Sequence, residues 1–358
     1  MKNNKKIAIL CNYKLLPERV GGMDYFFWQF DATCKANNIQ VDWFFPNRSL
    51  HGEYGNLTIF ESSNQNVEPF FLDFYSQNNS EYTHIITHFV ELCTPFFKKL
   101  KQLSKAEIIA IDHNPRPING YPFKKRIVKK IKGFLFSRYV DQFVGVSHYT
   151  VNAIIKDFGL QVKSKTTVVF NGLDILKFKK KTNFFSNKKF IVVSHLRKEK
   201  GIQDLIFAVK DLKSYDFTID IYGEGYFEVE LREMIQVFEL QKIITLKGSV
   251  TNLNELYCNY DYLIHPSHGE TFCYSVVESL ICNLPVITTR NQGNVLGLII
   301  DNQNGFLFEE ANSVELKNIL KSILTCKSQI GENFLNATLD DFSLEQMVNQ
   351  HFALLLKN

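Results

Sequence analysis

The sequence predicts an α/β protein built from two Rossmann-like domains that face each other across a cleft, and three observations support this fold class. The chain has 358 residues, too many for one ordinary core, and 45% of them are hydrophobic. Short apolar runs alternate with helix-like stretches, which is typical of βαβ units and parallel sheets. Residues 171–188 are polar and rich in lysine, and they interrupt this alternation as a domain linker would.

The predicted strands are the apolar, β-branched runs, taken in chain order. Before the linker they are 7–11, 41–45, 85–90, 108–111, 143–146 and 168–170. After the linker they are 190–193, 217–222, 243–246, 262–265, 285–288 and 306–308. The helix-like stretches between strands include 203–212, 227–238, 252–257 and 276–282. We therefore expect an N-terminal domain at 1–172 and a C-terminal domain at 187–341, with a last helix at about 342–358 packing back on the first domain.

Composition narrows the class of protein. Charged residues make up 22% of the chain, which is typical of a globular protein and not of a disordered one. No run reaches the ~18 apolar residues of a membrane span, and the first apolar run, 7–11, is too short for a signal-peptide core. The seven cysteines are odd in number and form no C-x-x-C pair, which favours free thiols in a reducing compartment. We expect a cytoplasmic protein.

The segment 265–289 contains the clearest candidate site. An apolar strand and a short loop lead to Glu270, and a helix begins near Cys273. Glu278 follows Glu270 by eight residues, which at ~100° per residue leaves the two carboxylates about 80° apart on a helix. Both can then border one pocket, although two glutamates at this spacing are more often solvated. The backbone N–H groups of 271–274 would favour an anion or a sugar hydroxyl at the helix N-terminus.

This segment resembles the family 4 retaining glycosyltransferases, which have the GT-B fold and an E-x(7)-E motif. Glu270 and Glu278 match the two glutamates, and 283–286, NLPV, matches the G-x-P-V stretch of that family. The resemblance implies that Glu270 contacts the donor sugar and that Glu278 holds the ribose hydroxyls. The family usually has Gly-Phe-Gly after the first glutamate. The residues here, also expected at the donor, are Thr271, Phe272 and Cys273.

The same resemblance assigns further donor residues in the C-terminal half. Lys200, before Gly201, and Arg197 would clamp the diphosphate, because fixed cations stabilise the charge that the leaving group gains. In strict register the arginine position is occupied by His195, and the segment by itself fits a solvated charged loop better than a diphosphate site. Ser249 and Val250, after the glycine at 248, would contact the nucleobase.

The N-terminal half shows fewer of these marks. Gly22, in a glycine pair, matches the position where backbone approaches the donor phosphate, and His113 matches a histidine that faces the donor sugar. A strand-end histidine with a local hydrogen bond would look the same as His113. We expect His88 and His265 to be structural. No group of residues has metal-ligand spacing, so we expect no bound metal and no cofactor beyond the nucleotide sugar.

The function predicted from these residues is retaining, metal-independent transfer of a sugar from a nucleoside-diphosphate donor, with UDP as the expected nucleotide. The expected acceptor is a glycan or a lipid-linked molecule in the synthesis of cell-surface polysaccharide or glycoconjugate, and we expect no nucleic acid as a partner. Two alternatives stay open: a non-catalytic GT-B partner subunit that binds a nucleotide sugar, and a nucleotide-sugar epimerase. Sugar transfer to an acceptor would separate the predicted enzyme from both.

Basic residues are concentrated in one stretch of the N-terminal half. Residues 98–138 contain twelve lysines and arginines against two acidic residues, a net +10 where the whole chain has +4. Within this stretch, 123–136 predicts an amphipathic helix with one apolar arc and a lysine-rich far side. Such a helix either packs its apolar arc into the domain core or lies on an anionic membrane. In either case the lysines stay free to attract anionic lipid, so we expect peripheral, salt-sensitive binding at the inner face of the membrane.

Overall fold

The computed structural model describes residues 5–17, 20–78, 81–117, 119–183, 187–331 and 339–356. It contains two parallel β-sheets, each flanked by helices, so the predicted α/β class is confirmed. The chain divides into two compact units. The N-terminal unit comprises Met1–Leu173 and Asp340–Asn358, and the C-terminal unit comprises Asp174–Leu339.

The N-terminal unit has a seven-stranded sheet with all neighbouring strands parallel. Its strands are β1 (Lys5–Cys11), β2 (Ile39–Phe45), β3 (Thr58–Glu61), β4 (His84–His88), β5 (Glu107–Asp112), β6 (Gln142–Gly145) and β7 (Thr166–Val168). The sheet order is β3-β2-β1-β4-β5-β6-β7. Its helices are α1 (Gly22–Ala36), α2 (Val67–Gln77), α3 (Pro95–Leu103), α4 (Phe123–Phe136) and α5 (His148–Phe158). The central strands are continuous apolar runs because helices cover both faces of the sheet.

Strand β3 was not among the strands predicted from the sequence. This strand has four residues, Thr-Ile-Phe-Glu, and only Ile59 is fully buried. It lies at the edge of the sheet, where one partner strand supplies its hydrogen bonds. A short strand with one buried side chain has neither the length nor the periodicity on which a prediction could rest.

The C-terminal unit has a six-stranded parallel sheet. Its strands are β8 (Lys189–Val193), β9 (Thr218–Tyr222), β10 (Ile244–Gly248), β11 (Tyr262–His265), β12 (Val286–Thr289) and β13 (Gly305–Phe308). Its helices are α6 (Ile202–Val209), α7 (Glu228–Val237), α8 (Leu253–Leu256), α9 (Tyr274–Ile281) and α10 (Ser313–Leu324). The sheet order is β10-β9-β8-β11-β12-β13, so the order reverses between β8 and β11. Ligands of open parallel sheets bind at such a reversal, beyond the carboxyl ends of the strands.

The last helix, α11 (Leu344–Leu354), belongs to the N-terminal unit and packs against α1. Leu173 forms a bridge with Ser343, and a Cβ at Gly172 would collide with the Ser343 carbonyl oxygen. Of the helix predicted at about 342–358, residues 357–358 lie outside the described part of the chain.

The apolar arc of α4 is exposed. Phe123 and Phe134 have 73% and 78% of their surface exposed, and the other exposed residues of the arc are Ile127, Val128, Ile131 and Leu135. Gly133 is the buried residue of this helix, and it sits against the backbone of Phe158. The alternative that the apolar arc packs into the domain core is therefore wrong. The helix touches its neighbour with a glycine face and packs Phe136 against the domain core, while the side chains of the apolar arc stay largely exposed.

Candidate functional site

A pocket of about 320 Å³ lies in the C-terminal unit at the reversal point of the sheet. The loops that follow β8 and β11 and the start of α9 form most of its wall. Six of the predicted site residues line it: Lys200, Ser249, Val250, Glu270, Cys273 and Glu278. They come from three segments of the chain, at 200, 249–250 and 270–278, so the fold brings together residues that span about eighty positions of the sequence.

Close packing of two loops positions Lys200. Gly201 has φ of +69°, and a Cβ there would collide with the carbonyl oxygen of Pro266. The backbone N–H of His268 donates to the Glu199 carbonyl oxygen at 2.9 Å. Only glycine combines this left-handed conformation with so close an approach, which explains the Lys-Gly pair physically.

Lys200 and Glu270 form an ion pair inside the pocket. Lys200 Nζ lies 2.6 Å from Glu270 Oε1, and only 16% and 12% of the two side chains are exposed. Burial alone raises the pKa of Glu270, but Lys200 and His265 outweigh it and lower that pKa to about 2. Glu270 is therefore an anion at neutral pH and an acceptor of hydrogen bonds only.

His265 belongs to the same charged group, although the sequence analysis expected it to be structural. Its Nε2 lies 3.1 Å from Glu270 Oε1 and 3.1 Å from Cys273 Sγ. Burial lowers the pKa of His265, but Cys273 and Glu270 overcome this and raise it to about 9. The available sequence signal was its position at the end of the strand that precedes Glu270.

His265, Glu270 and Cys273 also form a cluster that the sequence analysis did not find. Their ligand-type atoms all lie within 4.8 Å of one another. Their spacing in the sequence is not that of a standard metal motif. A strand end, a loop and the residue before a helix contribute one ligand atom each, and these meet only in the folded chain.

Glu278 lies on α9 and lines the pocket together with Glu270, so the eight-residue spacing brings both carboxylates to one wall. Tyr257 donates a hydrogen bond of 2.6 Å to Glu278 Oε2. Burial raises the pKa of Glu278, and the bond from Tyr257 opposes that effect. The tyrosine fixes the carboxylate in one orientation toward the pocket wall.

The remaining predicted residues of the C-terminal unit lie outside the described lining of this pocket. Arg197 is exposed, while His195, which holds the arginine's position in strict register, lines the pocket. Phe272 is buried and packs against the ring of Tyr274 at 4.9 Å. Thr271 is partly buried between Glu270 and Phe272. The donor roles of Arg197, Thr271 and Phe272 stay predictions.

Two predicted residues, Gly22 and His113, lie in the N-terminal unit. Gly22 is the first residue of α1. His113 follows β5, stacks on Phe89 with ring centroids 4.3 Å apart, and places Nε2 3.0 Å from His88 Nδ1. Burial, with a smaller effect of His351, lowers the pKa of His113 to about 3, so it is neutral at physiological pH.

Comparisons with known proteins find similar sequences and similar structures. Residues 174–336 match the model of the family described as glycosyl transferases group 1. An uncharacterized glycosyltransferase of Methanocaldococcus jannaschii is 25% identical, over 75% of this chain and 84% of the relative. An N-acetylgalactosamine-N,N'-diacetylbacillosaminyl-diphospho-undecaprenol 4-alpha-N-acetylgalactosaminyltransferase of Campylobacter jejuni is 28% identical, over 48% of this chain and 47% of the relative.

A solved structure extends the similarity to the whole chain. HepE of Anabaena, determined in complex with UDP and glucose, superposes with a TM-score of 0.73 at 18% identity. The match covers 99% of this chain and 100% of that one. The two proteins therefore share their fold, and the predicted GT-B fold is confirmed.

Proposed function

We propose that this chain, whose residues 174–336 match the glycosyl transferases group 1 family, transfers a sugar, with retention, from a UDP-sugar to a lipid-linked or glycan acceptor. One observation carries the proposal. A single pocket combines a largely buried lysine, Lys200, with two carboxylates, Glu270 and Glu278, at the reversal point of a parallel sheet. A nucleotide sugar presents the matching groups, namely a diphosphate and two sets of hydroxyls.

Each group has a distinct role in this proposal. Lys200 neutralises the diphosphate, whose negative charge grows as the sugar leaves, and a fixed cation in a water-poor site stabilises that charge strongly. Glu270, held as an anion, accepts hydrogen bonds from hydroxyls of the donor sugar. Glu278 accepts from the ribose hydroxyls. Ser249 and Val250, just beyond β10, contact the base. Lys200 can supply the positive charge without a metal.

The proposed step is a same-face transfer. The acceptor hydroxyl oxygen forms a bond to the sugar's anomeric carbon as the bond from that carbon to the diphosphate breaks. The acceptor proton passes to the leaving phosphate oxygen. The name of the Campylobacter jejuni relative specifies an α-linkage, which is the product that retention would give from an α-linked donor. The UDP bound by HepE supports the choice of nucleotide.

The alternatives make different predictions for the same experiment. The purified protein would be incubated with UDP-, GDP- and dTDP-sugars, with and without lipid-linked acceptors, while nucleotide release and product are followed. The proposal expects release of UDP, acceptor-dependent product and an anomeric configuration equal to that of the donor by NMR. Isomerised donor without transfer would indicate an epimerase, and binding without any turnover would indicate a non-catalytic subunit.

We also propose that α4 holds the enzyme on an anionic membrane, where a lipid-linked acceptor would be found. No helix among the described residues is long and apolar enough to cross a bilayer. The exposed apolar arc of α4 can instead enter the interface while neighbouring lysines meet the headgroups, each worth about 1 kcal/mol near the surface. The undecaprenol acceptor named for the Campylobacter jejuni relative supports a lipid-linked substrate.

The structure shows which lysines of α4 should be changed to test membrane binding. Lys129 and Lys132 already pair with Asp157 and Glu91, at 3.3 and 2.7 Å. Lys124, Lys125 and Lys130 are exposed, so they are the ones to change to Glu. Sedimentation with anionic vesicles should fall in this triple variant and at high salt. Wild-type protein that stays unbound at low salt would contradict membrane binding and leave the transfer reaction untouched.

A further inference from the structure

The three-residue cluster in the pocket has the geometry of a metal site. His265 Nε2 lies 3.1 Å from both Glu270 Oε1 and Cys273 Sγ, and the three atoms are all within 4.8 Å of one another. Imidazole, thiolate and carboxylate bind zinc at about 2.0 to 2.3 Å, which separates ligands of a tetrahedral ion by roughly 3.3 to 3.8 Å. The observed separations require only small side-chain movements to reach these values.

The surroundings of His265 orient it as metal-bound histidines are oriented. Its Nδ1 lies 3.3 Å from Ser275 Oγ, so the ring's second nitrogen has a hydrogen-bond partner and Nε2 faces the cluster. The His265 side chain is almost wholly buried, and its backbone oxygen accepts a hydrogen bond from Thr288. A partner on the second nitrogen fixes the direction of the first and is typical of metal ligands.

Cys273 is an unusual residue for its backbone position. It precedes α9 with φ of +70°, a left-handed conformation that favours glycine and disfavours a residue with a Cβ. Its thiol nevertheless contacts the ring of His265. The chain therefore places a soft ligand at the pocket wall at a conformational cost, and a glycine there would be tolerated by the backbone.

We propose that His265, Glu270 and Cys273 bind a zinc ion, and that zinc held there excludes the donor sugar and inhibits transfer. Three protein ligands leave the fourth position of a tetrahedral ion to water. Binding is independent of the proposed function, whereas inhibition rests on it. Zinc and Lys200 compete for the same oxygen, because Lys200 Nζ lies 2.6 Å from Glu270 Oε1.

The test of binding uses cobalt as a spectroscopic substitute for zinc. Chelator-treated full-length protein is titrated with Co²⁺, and the absorption of tetrahedral cobalt and of thiolate-to-cobalt charge transfer is recorded. One equivalent should bind with both signatures, and Zn²⁺ should remove them. Cys273→Gly should lose the charge-transfer band and bind metal more than about tenfold more weakly, since even supporting groups of metal sites are worth 10- to 100-fold.

Two further variants serve as controls for metal binding at this site. Cys326→Ser changes an exposed thiol elsewhere in the C-terminal unit and should keep the wild-type spectrum. Lys200→Ala removes the competing ammonium and should bind metal more tightly than wild type. A charge-transfer band that survives in Cys273→Gly, or disappears in Cys326→Ser, would overturn the site. Glycine suits the φ of residue 273, and a thermal melt verifies that the variant is folded.

Inhibition is measured separately. Zinc should raise the apparent KM for the donor in wild type by at least tenfold at saturation and leave the KM of Cys273→Gly unchanged. If zinc bound without changing the KM for the donor, the proposal that zinc inhibits transfer would be wrong, while the metal site itself would stand. Cobalt binding in a protein that turns over no nucleotide sugar would leave the metal site standing and count against the proposed function.

Discussion

Two buried histidine groups at strand ends of the two units differ in charge. In the N-terminal unit, His88 ends β4, His113 follows β5, and His351 of α11 stacks near His88. Burial lowers the pKa of all three, to about 3 for His113 and about 4 for His351. In the C-terminal unit, His265 ends β11, and its pKa rises to about 9.

The difference arises from the neighbours. The N-terminal histidines face one another and aromatic rings such as Phe26 and Phe89. Burial therefore dominates their pKa values, and for His351 it outweighs the opposing effect of the Met347 carbonyl. His265 is equally buried but faces Glu270 and Cys273. A strand-end histidine is therefore neutral packing in one unit and part of a charged pocket in the other. The residue type alone does not identify the site, whereas its partners do.

The largest expected effect comes from removing the cation of the charged pocket. Lys200→Ala should lower kcat/KM for transfer by about 10²- to 10³-fold, because removing one group that stabilises transition-state charge has that effect. Binding of the nucleoside monophosphate should change little. Lys198→Ala, an exposed neighbour in the same turn, is the matched control. A Lys200→Ala enzyme with near-normal transfer would remove this residue from the chemistry.

The neutral histidine group should make the N-terminal unit sensitive to acid. Each of the three histidines binds a proton more readily when unfolded, where its pKa is about 6.5, than when folded. Their contribution is therefore complete above pH 6.5 and is lost as pH falls toward the folded values near 4 and 3. At pH 5 the loss amounts to about 2 kcal/mol each for His113 and His351.

His351→Phe tests that prediction. Phenylalanine suits the contact with Phe26, and the loss of stability between pH 7 and 5 should shrink by up to about 2 kcal/mol. Both tryptophans of the chain, Trp28 and Trp43, lie in the N-terminal unit, so their fluorescence reports its unfolding in urea. As a control, His148→Gln changes an exposed histidine and should show the same change of unfolding free energy with pH as wild type. If the unfolding free energy changed equally with pH in wild type and both variants, the three buried histidines would not be taking up protons on unfolding.

Glu278→Gln should weaken UDP binding at least tenfold. The loss of a charged hydrogen-bonding partner costs about 1.5–3 kcal/mol, and the amide keeps the size of the side chain and an oxygen for Tyr257. Calorimetry with UDP measures the change, with the exposed Glu255→Gln of α8 as the control. Glu270→Gln should instead bind free UDP about as well as wild type and lose turnover. If Glu270→Gln instead lost UDP binding and Glu278→Gln kept it, the ribose role would belong to Glu270 and the sugar role to Glu278.

The smallest expected effect concerns Arg197. The side chain is exposed and lies outside the described pocket lining, so Arg197→Ala should lower kcat/KM less than about fivefold, as exposed charges are worth about 0.2–1 kcal/mol. His195→Ala, which alters the lining, should cost more. A larger loss of kcat/KM in Arg197→Ala would indicate that Arg197 does contact the diphosphate, as predicted from the sequence.

Local features of the sequence determined much of the fold. All six strands of the C-terminal sheet were predicted, because buried parallel strands are continuous apolar runs that need no knowledge of their neighbours. The spacing of Glu270 and Glu278 is a property of one loop and one helix, and the Lys-Gly pair before α6 records a backbone requirement at Gly201. Such signals survive in a linear sequence because their physical causes act over a few residues.

Only the tertiary structure decided which residues act together. It joined His265 to Glu270 and Cys273, kept His113 in a neutral cluster with His88 and His351, and left the apolar arc of α4 exposed. Each outcome depends on segments that are distant in sequence. A side chain's charge and exposure are set by the groups within a few ångströms of it. Those groups belong to distant segments, so the local sequence around a residue does not reveal them.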